Sequence, residues 1–268
     1  MSELTPRDRE IYAWQIDLPG FGDAAQVKLK NSRVFISRAG GLGGLVAMEL
    51  AAAGIGAMVI AHGGVAQASD FNRQLLLKAE GEGLPRVDSF RQRLLEFRPD
   101  LDLVLHDTNV DDDNALELIR GCDLVIDCAP LFQERLAMND AAVRLGIPLV
   151  EAAMYGMQAQ LSSHRPGLDP CLRCLHPEVP DLWKRRFPVL GAVSGSVACL
   201  AAIEAVKLLT GLPACLEGDT LLLDLERYSS QRLRLGHRRG DCAVCGERKK
   251  PEQDRADRSD RTDRQGPK

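Results

Sequence analysis

Two Cys-x-x-Cys pairs, Cys171/Cys174 and Cys242/Cys245, set the tightest constraint on what this chain can become. Thiolates at that spacing can converge on one centre, and two such pairs complete a tetrahedral site with no open coordination position. The pattern predicts a structural zinc site held by Cys171, Cys174, Cys242 and Cys245, tying the end of the chain to its middle. Two unrelated reduced thiol pairs, or two redox disulfides, are the competing readings. Cys122, Cys128, Cys199 and Cys215 stand singly, mostly among apolar neighbours, and read as small buried hydrophobes.

The remaining composition narrows the class by exclusion. A net charge of -4 with only 4% aromatic residues offers neither a basic footprint nor stacking platforms, so no nucleic-acid partner is expected. The opening residues, MSELTPRDREIYAWQ, lack the apolar core of an export signal, which predicts a reducing, cytoplasmic setting. The most apolar stretches, 44–61 and 192–210, are interrupted by Glu49 and by Glu204 and Lys207. They read as buried helices with flanking strands rather than membrane spans.

From residue 33 onward, short apolar runs alternate with helical periods. Strands are expected at Val34–Ser37, Ala57–Ala61, Leu101–His106, Leu124–Cys128 and Pro148–Ala152. Helices are expected at Gly43–Ala53, Arg86–Phe97, Ala115–Arg120 and Leu131–Leu145 between them. That rhythm predicts an α/β fold: a Rossmann-like, doubly wound, mostly parallel sheet. After residue 152 it changes to Gln158–Ser163, a Pro-rich stretch, a long helix Ala192–Thr210, then Thr220–Leu225 and Gln231–Leu235. These later strands are expected to extend the sheet in antiparallel fashion. One domain is expected over residues 1–245, followed by a charged tail, 246–268, lacking the apolar anchors needed to offset ordering entropy.

Directly after the first strand comes Arg38-Ala39-Gly40-Gly41-Leu42-Gly43-Gly44, opening a helix. Such a loop lets backbone approach a phosphate at a helix N-terminus. A dinucleotide reader would also place a carboxylate after the second strand, where this chain has His62-Gly63-Gly64, so an NAD-type oxidoreductase is disfavoured.

Together these residues resemble the E1-like superfamily, the ThiF/MoeB/HesA proteins related to ubiquitin-activating enzymes. The resemblance rests on Tyr12 and Gln15, Leu18-Pro19-Gly20-Phe21-Gly22, the glycine loop, Leu50 to Gly56, Asn72-Arg73-Gln74, Asp123 to Cys128 and both cysteine pairs. It implies an adenylyltransferase ancestry in which ATP and Mg²⁺ activate the C-terminal glycine of a ubiquitin-fold sulfur-carrier protein. It further implies a nucleotide site at Gly40, Gly41, Gly43, Arg73 and Gln74, with Arg73 and Arg86 in catalytic positions, and a homodimer or a second E1-like subunit as partner.

The chain departs from that pattern at the polar groups the chemistry uses. Trp14 stands where the family has an arginine, Arg38 at the first loop glycine, and His62 and Gly64 where it has aspartates. Asp70 replaces an asparagine, Arg86 a lysine, and Pro130 the metal-binding aspartate. Losing one electrostatic stabiliser typically costs about 10²–10³ in rate. The expectation is therefore a degenerate, zinc-stapled member that binds a carrier or E1-like partner. Two alternatives stay open: a divergent but active adenylyltransferase with Asp127 on the metal, or an anion or nucleotide sensor in which Arg38, His62, Arg73 and Arg86 converge. Against both stands a structural reading in which the surviving glycines serve the fold and the arginines form salt bridges, since charged clusters often satisfy one another.

Overall fold

Uninterrupted apolar runs form the centre of an eight-stranded sheet in the computed structural model, which describes residues 2–180, 187–213 and 215–246. The strands are Arg33–Ser37 (β1), Ala57–Ala61 (β2), Asp102–His106 (β3), Leu124–Asp127 (β4), Leu149–Tyr155 (β5), Gln158–His164 (β6), Asp219–Asp224 (β7) and Ser229–Arg234 (β8). Their order is β3-β2-β1-β4-β5-β6-β7-β8. Pairing is parallel from β3 through β5 and antiparallel from β5 to β8. The expected α/β class and its antiparallel extension are both present.

Nine helices lie among the described residues: Pro6–Ile11 (α1), Ala13–Ile16 (α2), Gly22–Lys30 (α3), Gly43–Ala53 (α4), Arg86–Phe97 (α5), Ala115–Ile119 (α6), Phe132–Leu145 (α7), Leu172–Leu175 (α8) and Gly191–Thr210 (α9). Most sequence boundaries hold to within a residue or two. The exception is β5, which runs on to Tyr155 because it pairs with β6 along its whole length.

Strand alternation divides the core into two layers. Val34, Ile36, Met58, Ile60, Leu124 and Ile126 face α3, α4, α5 and α9, while Phe35, Val59 and Val125 face α6 and α7. A strand buried on both faces needs apolar residues at every position, which is why β1, β2 and β4 read as continuous runs. Helix α9 has the length and hydropathy of a membrane span, yet Val193, Val197, Ala198, Ala201 and Ala205 are buried in this core. Its Glu204 is buried too, accepting from Ser163 Oγ at 2.7 Å and the Leu216 amide at 2.8 Å. One of the two edge strands, β8, is exposed throughout and carries Arg232 and Arg234, both paired with Asp219. Charge on an edge discourages further strand pairing.

The N-terminal segment explains why Tyr12 and Gln15 accompany the fold. Gln15 Nε2 donates to Gln26 Oε1 (2.6 Å) and to the Ala53 carbonyl (2.9 Å) at the end of α4. Gly54 closes that helix at φ 91°, and a Cβ there would lie 2.7 Å from the Tyr12 ring. Trp14, between them, is 93% exposed. The charged tail lies outside the described residues apart from Gly246.

Candidate functional site

Topology fixes where a ligand would sit. The strand order reverses between β1 and β4, and open α/β sheets bind ligands at the carboxyl ends of the strands beside that switch point. The glycine loop leaves β1 there, and Cys128 follows β4 there. A Cβ on Gly43 would fall 2.7 Å from the Arg38 carbonyl and 3.2 Å from Cys128 Cβ. One on Gly41 would lie 2.9 Å from Arg73 Cγ. These two glycines are therefore required by packing within the chain, whatever else the loop does.

Each cation expected at this crevice has a partner in the protein. Arg38, buried and in the left-handed region at φ 54°, turns to the first turn of α7. There its Nε and Nη2 reach the buried Glu134 carboxylate at 2.7 and 2.5 Å, a bidentate pair. Arg86 Nη2 meets Asp70 Oδ2 at 2.7 Å, and Arg73 Nη2 meets Asp70 Oδ1 at 3.3 Å. Gln74 Nε2 donates to the same Oδ1 at 2.8 Å, and the Gln67 amide to Oδ2 at 3.1 Å. Arg86 fits because Gly64 has no side chain: a Cβ there would stand 3.0 Å from its Nη1. His62 packs on Phe90 with ring centroids 5.6 Å apart. The four basic groups thus do not converge as one open cluster. Arg38 is directed to α7, while Arg73 and Arg86 share Asp70. Nothing in the sequence marked Glu134 as the partner of Arg38, because ninety-six positions separate them and only the fold brings them together.

Asp127 is likewise placed differently from a metal ligand at a crevice. It is fully buried at the end of β4, 3.2 Å from Arg135 Nη1, and accepts the Ala129 amide at 2.9 Å. Burial lifts its carboxyl to about 7 despite Arg135. Arg135 also meets Glu151 at 2.9 Å. For Glu151 burial acts upward, but Arg135 and His164 outweigh it and hold the carboxyl below its ordinary range.

The four cysteines do converge. Their sulfurs all lie within 4.8 Å of one another, with Cys171–Cys242 at 3.8 Å, Cys171–Cys174 at 4.0 Å and Cys174–Cys245 at 3.3 Å. Sulfurs about 2.3 Å from a tetrahedral zinc stand about 3.8 Å apart, so the donor set and spacing fit a four-coordinate metal ion. The Arg239 amide donates to Cys174 Sγ at 3.4 Å. Burial raises the Cys171 and Cys174 thiols, whereas at Cys242 amide hydrogen bonds from Cys245 and Val244 outweigh burial and lower the thiol. Behind the cluster, Asn139 Oδ1 of α7 accepts the Leu172 amide at 2.8 Å, fixing the first knuckle to the core. Cys122 and Cys215 are buried as expected, whereas Cys128 and Cys199 are half-buried.

A feature that sequence reading missed is a cavity of about 550 Å³ on the sheet face opposite α9. Arg135, Glu151 and Gln160 contribute polar groups, and Phe132, Tyr155 and His176 contribute rings. His176, which follows the first knuckle, packs edge-on against Phe132 at 5.1 Å.

Comparison with known proteins converges on one family. The ThiF family model matches residues 12–244. The chain is 44% identical to the heterocyst protein HesA of Trichormus variabilis over 247 residues, covering 92% of each. It is 36% identical over 248 residues to the adenylyltransferase and sulfurtransferase MOCS3 of Drosophila yakuba, covering 91% of this chain and 55% of that one. In structure it is similar to E. coli MccB, with a TM-score of 0.79 at 21% identity over 91% of this chain and 74% of that one, a likeness of fold.

Proposed function

This chain belongs to the ThiF family, and from that premise we propose that it is a zinc-stapled E1-like protein that binds a partner without adenylating it. Its relatives include an adenylyltransferase and sulfurtransferase, which supports an adenylyltransferase ancestry, and the resemblance implies that the ancestral reaction joined AMP to a carrier's terminal carboxylate. The observation that carries the reading is the pairing of Arg38 with Glu134 and of Arg73 and Arg86 with Asp70. Of these, Arg73 and Arg86 stand at the positions the resemblance assigns to phosphate, and a nucleotide would have to displace Asp70 from both, while Arg38 fills a place where the family has glycine. The Pro130 side chain brings no oxygen ligand for Mg²⁺, and Asp127 is buried against Arg135.

The partner class we assign is a ubiquitin-fold sulfur carrier or a second E1-like subunit. The cavity beside Arg135, Tyr155 and Gln160 offers apolar walls and polar groups suited to an extended polypeptide end. Zinc at Cys171, Cys174, Cys242 and Cys245 would supply cohesion only, since four thiolates leave no position for substrate. The exposed Ile11, Trp14 and Leu18 suit a homodimer contact, and unpaired cysteines suit a reducing, cytoplasmic setting.

ATP–pyrophosphate exchange, measured with candidate carrier proteins ending in Gly-Gly, tests the central claim. No exchange above background, together with saturable carrier binding by calorimetry, is the expected result. Robust exchange would overturn it.

A further inference from the structure

Resting on that reading, we infer that Asp70 and Glu134 act as built-in counter-anions, so that the glycine-loop crevice excludes an oxyanion because the chain supplies its own. The two carboxylates are not surface charges. Asp70 is 5% exposed and receives hydrogen bonds from Arg86, Arg73, Gln74 and the Gln67 amide through its two oxygens. This is the coordination a phosphate would collect in the same place: two guanidiniums, a side-chain amide and a backbone N–H.

The cluster also faces the loop that would cradle such a group. Gly41 packs on Arg73, and a Cβ on Gly40 would come within 3.7 Å of the Gln74 amide. Glu134 does the same for Arg38, whose backbone opens the loop. Three guanidiniums therefore meet two carboxylates here, leaving one net positive charge among these five groups.

A second observation shows that the coordination is a substitute rather than a complete fit. Gln74 Oε1 and Arg86 Nε are buried and have no hydrogen-bond partner among the described residues. Buried polar atoms are nearly always satisfied, so the Arg86 Nε–H left over beside Asp70 marks a donor that the carboxylate does not reach, whereas Gln74 Oε1, an acceptor, would need a donor instead. A larger tetrahedral anion would reach Arg86 Nε, which Asp70 does not, provided the negative charge of Asp70 were removed.

The test is inorganic pyrophosphate binding to the full chain, by calorimetry and thermal shift, in the parent and in Asp70→Asn. Asparagine keeps the shape and the Gln67 contact but removes the charge. The parent is expected to show no saturable binding at about millimolar pyrophosphate. Asp70→Asn is expected to bind at least about tenfold more tightly, since contact repulsion between a carboxylate and a phosphate is lifted. Adding Arg86→Gln should abolish the gain.

A folded Asp70→Asn protein with unchanged affinity, or a parent that already binds as tightly, overturns the inference. Should Asp70→Asn fail to fold, Glu134→Gln carries the same test on Arg38, and a folded Glu134→Gln without gain overturns it equally. The two proposals fail separately. Exchange activity in the parent removes the proposed function, whereas an inert parent with a pyrophosphate-blind Asp70→Asn removes only the counter-anion role.

Discussion

Removing Glu134 should be among the most destabilising single changes in this protein, and removing Arg38 with it should restore much of the loss. Both side chains are buried, at 7% and 5% exposure, and joined by two hydrogen bonds. Glu134→Ala leaves a guanidinium in the interior without a counter-charge. Breaking a buried pair from one side costs about 3–5 kcal/mol. For a domain of this size each kcal/mol lowers Tm by about 2–4 °C, so a drop of roughly 6–20 °C is expected.

Arg38→Gly should cost less, for two reasons. Arg38 has φ 54°, and releasing a non-glycine residue from the left-handed region returns about 1–2 kcal/mol. The stranded Glu134 lies in the first turn of α7, where the helix dipole favours a negative charge by about 0.3–1 kcal/mol. A net loss of about 1–3 kcal/mol follows. In the double variant no uncompensated charge remains, so urea and thermal melts of all four proteins should give a coupling of about 2 kcal/mol or more. Costs that add to within about 0.5 kcal/mol would refute the claim that this pair is a closed internal unit.

Other expectations concern the metal, the N-terminal segment and the exposed tryptophan. Elemental analysis should find one zinc per chain, and Cys242→Ser or a strong chelator should lower the melting temperature while releasing the metal, because binding energy at a structural site is folding energy; a metal-free protein of unchanged stability would count against the staple. Hydrogen bonds from Lys30 and Thr5 outweigh the upward effect of burial and hold the Asp8 carboxyl at about 2 in the folded chain, against an ordinary 3.8. A lowered folded-state value contributes stability above the ordinary pKa and loses it as pH falls through about 2, so the parent should lose more stability than Asp8→Asn between pH 4 and 2 in acid titrations. Trp14 is 93% exposed, so Trp14→Ala should leave monomer stability within about 0.5 kcal/mol, while sedimentation should show weaker self-association.

What the sequence determined by itself was local and periodic. Apolar runs at β1, β2 and β4, the glycines Gly54, Gly146 and Gly211 closing α4, α7 and α9, and paired cysteines each state their structure within a few positions, because strand burial, helix termination and thiolate ligation depend on residue type and spacing. The replacement of family residues by Arg38, Asp70 and Pro130 was equally plain to read. Their consequence was not. Whether those arginines would gather at one pocket or be neutralised depended on carboxylates whose approach is set by the packing of α7 and the Gln67–Arg73 turn. The register of Asp127 against Arg135 and the cavity opposite α9 arise the same way, from surfaces distant in sequence meeting in space. Electrostatic pairing is decided by distances of a few ångströms, and only the tertiary structure fixes those.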